Sequence, residues 1–356
     1  MVAGLGFYTC KMSSSLPTAK VAIIMRTFER PVLLARAIAS VQQQTFSDWV
    51  LIIVNNGGDP RAVDAIVKVA GTSLSHGAAQ IVTHHFETCV SGGAASNAGV
   101  AMSESDYVVM QDDSQTWHPD FLKVTVGILD QNKSAAAAAT SYKQVLETQR
   151  ANRLWPIQES LSVVDDGQLT FISLVAGHVP PPGSVLIRRS AAQEMGGFDE
   201  LLPALDHWEF LVRIAEQSVI MAVPEDLARH HSRSIRSDEE AETSHADSKL
   251  KEISARDLLI DRWLGETMPN GLNKGELALT AAGARQAAEA VRAMDDSNKR
   301  VEGLERVVRD LQLSMSGDIA HQLAHIIQQR RLWRRIFRVV LNPAHGLRAI
   351  KRLIAK

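Results

Sequence analysis

The sequence predicts an α/β fold, a mostly parallel sheet flanked by helices, followed by an all-helical extension. Three observations predict it. From Lys20 to about residue 130, short β-rich runs alternate with helical segments, the order that builds a parallel sheet covered on both faces. The run YVVMQDDSQTWHPDFL, residues 107–122, ends an apolar strand in two adjacent carboxylates, Asp112 and Asp113. That is the sheet edge at which open α/β folds hold ligands. Beyond about residue 250, apolar residues recur at three-four spacing among charged ones, a helical pattern.

The first half justifies its elements one by one. Residues 1–18 lack a basic start and a sustained apolar stretch and read as a disordered leader. VAIIM (21–25) is a strand. Pro31 opens an amphipathic helix with Val32, Leu33, Ala37, Ile38 and Val41 on its apolar face. WVLIIV (49–54) is a second strand ending in the turn cluster Asn55-Asn56-Gly57-Gly58-Asp59, and residues 61–70 are helical. QIVTHH (80–85) is a short third strand. Ser91-Gly92-Gly93 leads into a helix through Ala95, Ala98 and Val100, the fourth strand is YVVMQDD, and residues 120–130 are helical.

The second half is less regular. Residues 133–142 read as a strand and 143–172 as strands and loops. Residues 178–190 read as a proline-rich loop entering the strand SVLIR, and 191–195 as a short helix stopped by Gly196-Gly197. A loop (198–205), a helix (207–216) and the strand VIMAV (219–223) follow. The basic loop Arg229-His230-His231-Ser232-Arg233-Ser234 closes the globular part. The expected division is a globular domain over 19–235, a linker over 236–248 and a helical extension over 249–356. Within the extension, residues 275–315 carry a stripe suited to a homo-oligomeric contact. After Asp318 no acidic residue occurs, and 330–356 form a basic amphipathic end with Trp333 and Phe337 that suits an anionic membrane surface.

Bulk properties narrow the classes. Of 356 residues, 45% are apolar, and 38 basic against 40 acidic residues leave a net charge of −2, which gives no general pull toward nucleic acid. Two cysteines, Cys10 and Cys89, make neither a disulfide framework nor a metal cluster and fit a reducing compartment.

Taken in order, MRTFERP after the first strand, VNNGGD after the second, SNAGVA, YVVMQDD, GSVLIRRS, GGFDE and LDHWEFLVR resemble the inverting glycosyltransferases of family 2 with the GT-A fold. The resemblance covers about residues 20–235 and divides the domain into a nucleotide-sugar half (19–125) and an acceptor half (126–235). It implies that Arg26, Thr27, Phe28, Asn56, Asn97, Asp112, Asp113, Arg229 and Arg233 bind the donor. Phe28 would stack on the base, and Asn56 stands where the family has an aspartate. It implies a divalent cation, Mn²⁺ or Mg²⁺, held here by Asp113 and His231. Its use is expected to be weaker than in the family, because Ser114 replaces the metal-binding aspartate. It implies that Asp206, His207 and Glu209 carry the chemistry, with His207 where the family has its base. The partners implied are a nucleotide-sugar donor and a glycan or glycolipid acceptor, in bacterial surface polysaccharide or lipopolysaccharide synthesis on the cytoplasmic face of the membrane. The substitutions at Ser114 and His207 also raise the alternative of a degenerate GT-A protein that binds nucleotide or glycan without turnover.

Overall fold

The computed structural model describes residues 16–72, 80–150, 153–164, 169–233, 239–267, 271, 273–281 and scattered helical positions from 283 to 306. The chain divides into two units, Met1–Ala282 and Gly283–Lys356. The second contributes isolated helical positions only, and the basic end at 330–356 lies outside the described residues.

Apolar β-formers make the first strands: β1 (Val21–Thr27) and β2 (Trp49–Asn56) are buried almost throughout. Their helices start where the sequence supplies proline. Helix α1 (Pro31–Gln42) follows β1 and α2 (Pro60–Gly71) follows β2, the latter capped by Asp59, whose carboxylate accepts the Arg61 amide. Val32, expected on the buried face of α1, is exposed, and Leu34 is buried instead. The spacing Leu34, Ala37, Ile38, Val41 is the true 3.6-residue stripe.

The order continues with β3 (Gln80–Phe86), α3 (Gly92–Ala101), β4 (Tyr107–Asp112), β5 (Gln115–Trp117) and α4 (Phe121–Gln131). The second half of the domain holds β6 (Ala135–Arg150), β7 (Arg153–Ser162), α5 (Phe171–Val175), β8 (Val185–Arg188), α6 (Arg189–Glu194), α7 (Asp206–Gln217) and β9 (Val219–Arg233). Among the described residues the strands form one nine-stranded sheet, ordered β3-β2-β1-β4-β8-β6-β9-β5, with β7 paired to β6. Strands β3, β2, β1 and β4 are parallel, and β8 runs against both β4 and β6. Strand β6 therefore points the same way as β4, and both end at the carboxyl edge of the sheet. Two cores result. Helices α1, α2 and α4 cover one face, through Leu34, Val63 and Phe121 among others. Helices α3, α5, α6 and α7 cover the other, through Ala95, Leu174, Ala191 and Phe210.

Two expected boundaries move. The basic segment at 229–233 is not a loop: it is the end of β9, paired with β6 from Ala228 to Arg233. The segment 236–248 is not all linker, since helix α8 (Glu239–Leu264) begins inside it. Charged and serine-rich, it reads as a linker, but its glutamates and alanines suit a helix as well. Helix α8 packs on the globular body by Ala255, Leu259 and Trp263, each four residues on from the last. Trp263 meets Trp208 of α7 edge to face at 5.4 Å, Arg256 lies over the Trp208 ring, and Arg262 pairs with Asp199. Lys274, nearly buried, bonds Glu216 at 2.8 Å and Glu266 at 2.7 Å. The start of the extension is thus a buttress of α7 and the turn before it.

Candidate active site

The carboxyl ends of β1 and β4 and the start of α7 meet at one guanidinium. Arg26 is the sixth residue of β1, and register places it beside Asp112, the last residue of β4. Its Nε donates to Asp112 Oδ1 at 2.8 Å and its Nη2 to Oδ2 at 3.2 Å, a bidentate pair. Nη1 donates to Asp206 Oδ2 at 3.1 Å, to Ser96 Oγ at 3.2 Å and to the Gly92 carbonyl at 3.2 Å. Asp206 Oδ1 makes no hydrogen bond among the described residues. Burial works against the charge of Arg26, but Asp112 and Asp206 outweigh it and raise the guanidinium's pKa. Burial likewise opposes the charge of Asp112, and Arg26 beside it holds the carboxyl below its ordinary value.

Local sequence builds this junction. A Cβ on Gly92 would stand 2.9 Å from both Arg26 Nη1 and Asp206 Oδ1, so a side chain there would force one or both of them to shift. Leu205, at φ 63°, turns the chain through the left-handed region just before α7. Leu205 is the helix cap, so Asp206 sits in the first turn rather than capping it, and its side chain is left for Arg26.

Two imidazoles face the same junction. His207 is 6% exposed and neither ring nitrogen has a hydrogen-bond partner. The Pro180 carbonyl lies near enough to favour the protonated ring slightly, but not at bonding geometry. Burial and then Arg26 push the His207 pKa down to about 3, against the opposing pull of Asp112. His230 is also lowered, by burial, with Asp112 opposing, and its Nδ1 is buried without a partner. Nearby Gln115 accepts the Asp112 and Gly183 amides through Oε1, while its Nε2 is unpaired. Buried polar atoms without partners are costly, and their convergence marks a place for a polar ligand or water.

Several expected donor residues have other duties. The Asn56 amide accepts the Val90 N–H and donates to the Val90 carbonyl, both at 2.9 Å. Asn97 bonds the Phe198 main chain in both directions and Glu200, so it anchors the GGFDE turn to α3. Glu209 forks with Arg213 at 2.6 and 2.7 Å, and Arg213 also holds the Met195 and Gly197 carbonyls. Glu209 therefore helps to fix the turn through Arg213. Thr27 donates to Asp113 at 2.9 Å, and Arg30 approaches Asp113 at 3.3 Å. Burial raises the Asp113 pKa despite both. Phe28 is an exposed ring in the loop after β1.

The alternation of β9 corrects the basic segment. Arg229, His231 and Arg233 share one parity and His230 the other. His231 is held by Glu147 at 2.9 Å and Thr116 at 2.8 Å, with Arg36 on the same Glu147. Burial and then Arg36 take its pKa down to about 4. It is His230 that senses Asp112. Sequence reasoning did not set His230 apart from Arg229, His231 and Arg233 because it read the segment as a loop, where no period distinguishes neighbours. Extending the strand period past Val223 would have found it.

Asp113 and His231, the expected metal pair, do not form a cation site. One carboxylate is engaged by Thr27 and Arg30, and both nitrogens of the imidazole are engaged by Glu147 and Thr116. Among the described residues no group of three or more His, Cys, Asp or Glu could hold a metal ion. Beside the junction, a cavity of about 210 Å³ opens at the ends of β1 and β2, lined by Thr27, Glu29, Arg30, Asn55, Asp59 and the apolar faces of α1 and α2.

Comparison with known proteins identifies a family and a fold. The chain matches Glycosyl transferase family 2 over residues 22–196. Protein CgeD of Bacillus subtilis is 25% identical over 154 residues, 41% of this chain and 35% of that protein. An uncharacterized glycosyltransferase of Nostoc sp. is 30% identical over 109 residues, 31% of this chain and 32% of that protein. The chain thus spans about a third of the length of these curated relatives. The mannosyltransferase PcManGT of Pyrobaculum calidifontis, solved with GDP-Man and Mn²⁺, shares the fold. Its TM-score is 0.51 at 12% identity, over 78% of this chain and 80% of that one. The segment from β1 through α6, carrying Arg26, Asp112 and the cavity, belongs to glycosyl transferase family 2, on a GT-A fold.

Proposed function

We propose that the protein transfers a sugar from a nucleotide-sugar donor to a glycan acceptor, with inversion at the anomeric carbon. The observation that carries this reading is the junction at Arg26, which joins a carboxylate of the donor half to one of the acceptor half beside two unpartnered imidazoles. The cavity at the ends of β1 and β2 takes the nucleobase, with the exposed Phe28 ring beside it. Asp112 accepts from the ribose with the lone pairs that Arg26 leaves free.

Inverting transfer is a single displacement, and a base must take the acceptor hydroxyl proton. Asp206 is the base in this reading: Arg26 fixes Oδ2, and Oδ1 is open to receive the proton. His207, with its pKa near 3, is neutral at working pH and a weak base. Its role is to hydrogen-bond a sugar hydroxyl through a ring nitrogen, as is that of His230. A divalent cation, of the kind present with GDP-Man in PcManGT, would neutralise the leaving diphosphate. The residues here offer it no preformed cage, so it enters with the donor or not at all. We read the acceptor as part of a bacterial surface polysaccharide or lipopolysaccharide.

A second reading, binding without turnover, is favoured by one observation: both oxygens of Asp112 are already engaged by Arg26. Calorimetry with UDP, GDP and dTDP, followed by nucleotide-sugar hydrolysis with and without Mn²⁺, separates the two. Binding with hydrolysis supports the transferase, binding alone the second reading, and no binding by any diphosphate removes both.

A further inference from the structure

The cavity at the ends of β1 and β2 combines apolar walls with a few polar groups. Leu34 of α1 and Val63 and Ile66 of α2 give the apolar part, which suits the flat face of a base. Of the polar groups, two are already engaged. Thr27 donates its hydroxyl to Asp113. The buried Asn55 closes its amide on Gly58, donating to the carbonyl at 2.7 Å and accepting the N–H at 3.1 Å.

Three others keep open atoms among the described residues. Glu29 lines the cavity with neither a hydrogen bond nor an ion pair. Asp59 accepts the Arg61 amide through Oδ1 and leaves Oδ2. Arg30 reaches Asp113 through Nη1 and leaves Nε and Nη2. Glu29 also stands at φ 50°, in the left-handed region that residues other than glycine rarely enter. That turn sets its Cγ 3.5 Å from where a Cβ on Gly58 would stand, and Gly58 precedes Asp59. The two carboxylates are therefore neighbours on one cavity. A backbone held in an uncommon conformation with an unpartnered side chain fits a binding group.

A carboxylate only accepts hydrogen bonds, and a guanidinium only donates them. The matching base presents two adjacent donors with an acceptor beside them. Guanine does so, with N1–H and the 2-amino group side by side next to O6. Adenine and cytosine each offer one amino group beside a ring-nitrogen acceptor. Uracil and thymine hold a single N–H between two carbonyls, one of which would face a carboxylate.

We infer that the base of the donor is guanine. Glu29 and Asp59 accept from N1–H and the 2-amino group, and Arg30 donates to O6. The inference rests on the nucleotide-sugar reading above and names the nucleotide within it.

Calorimetry on the full chain with GDP, inosine diphosphate, ADP, CDP, UDP and dTDP tests it. GDP should bind tightest. Inosine diphosphate lacks only the 2-amino group and should bind about 10- to 100-fold more weakly, the usual effect of losing a hydrogen bond to a charged group. Glu29 and Asp59 are exposed, and the double variant Glu29→Gln/Asp59→Asn keeps their shape and a good cap for α2. With unchanged circular dichroism, it should bind GDP no more tightly than inosine diphosphate. Equal binding of the two by the unsubstituted protein, tighter binding of any other diphosphate, or a GDP preference that survives in the double variant would overturn the inference. Each of these leaves the nucleotide reading in place. No binding by any diphosphate would overturn that reading, and the inference with it.

Discussion

Arg26 and Asp206 lie 180 residues apart in the sequence and meet at 3.1 Å, with Asp112 held on the other side of the same guanidinium. One cation thus ties the first half of the domain to the second, and its neighbours are the buried Asp206 and the half-buried Asp112. Removing it should be costly. Arg26→Met leaves both carboxylates unpaired and should lower unfolding stability by about 3–5 kcal/mol, the cost of breaking a buried pair. Arg26→Lys keeps the charge but not the fork and should lose less. Urea unfolding of the three proteins orders them, and equal stability would show that the junction contributes little to the fold.

Gly92 is the second point of leverage. A methyl group there would press on Arg26 Nη1 and Asp206 Oδ1 at once. Gly92→Ala should therefore separate the pair, reducing transfer at least tenfold, while the nucleotide cavity about Thr27 and Asn55 keeps its affinity for a diphosphate. Calorimetry and a transfer assay on the same preparation would show this split.

How far the sequence revealed this junction depends on the kind of signal each residue sends. Strands β1, β2 and β4 were legible because they are apolar runs with turn residues behind them, and GT-A followed from the order of motifs. Asp112 and Asp206 were legible as carboxylates at element ends. The bond between them through Arg26 was not, since a contact across 180 positions leaves no local period. The partners of Asn56, Asn97 and Glu209 were hidden for a related reason. Amides and carboxylates near a site serve equally to bond main chain, and only geometry shows that Val90, Phe198 and Arg213 had claimed them. Most of helix α8 was legible as a helical pattern beyond residue 250, and only its first turns, from Glu239, were read as linker because they are charged and serine-rich.

Acid should destabilise the protein through its buried imidazoles. His207 and His231 titrate near 3 and 4 when folded, against 6.5 when free. Between these values the unfolded chain binds protons that the folded chain does not. Stability from this source is complete above pH 6.5 and falls as the pH drops, by at most about 1.4 kcal/mol per pH unit per histidine. Melting temperatures from pH 8 to 4.5 should show the fall, and His207→Gln should flatten it. A melting temperature independent of pH below 6.5 would contradict the buried neutral rings.

Metal dependence should be weak. With Asp113 engaged by Thr27 and Arg30, and His231 by Glu147 and Thr116, the nucleotide-free protein should show no tight Mn²⁺ binding by calorimetry. Ser114→Asp adds a hard oxygen ligand at the turn and should strengthen binding. Tight binding by the unsubstituted protein would mean that other ligands complete a site.

The helical buttress should matter to stability. Trp263→Ala empties a buried space against Trp208 and should cost about 3–5 kcal/mol. Because Trp208 follows His207, the change should also disturb the start of α7. Thermal unfolding measures the first effect and transfer rate the second.

The most direct test of the central claim is the rate of sugar transfer by Asp206→Asn beside its affinity for the nucleoside diphosphate. The substitution keeps the shape and removes the proton acceptor that Arg26 holds in place. Transfer should fall about 10²–10⁴-fold, the usual worth of a general base, while diphosphate affinity changes little. Wild-type transfer rates in Asp206→Asn would contradict the account, because Asp206 would then not be the base.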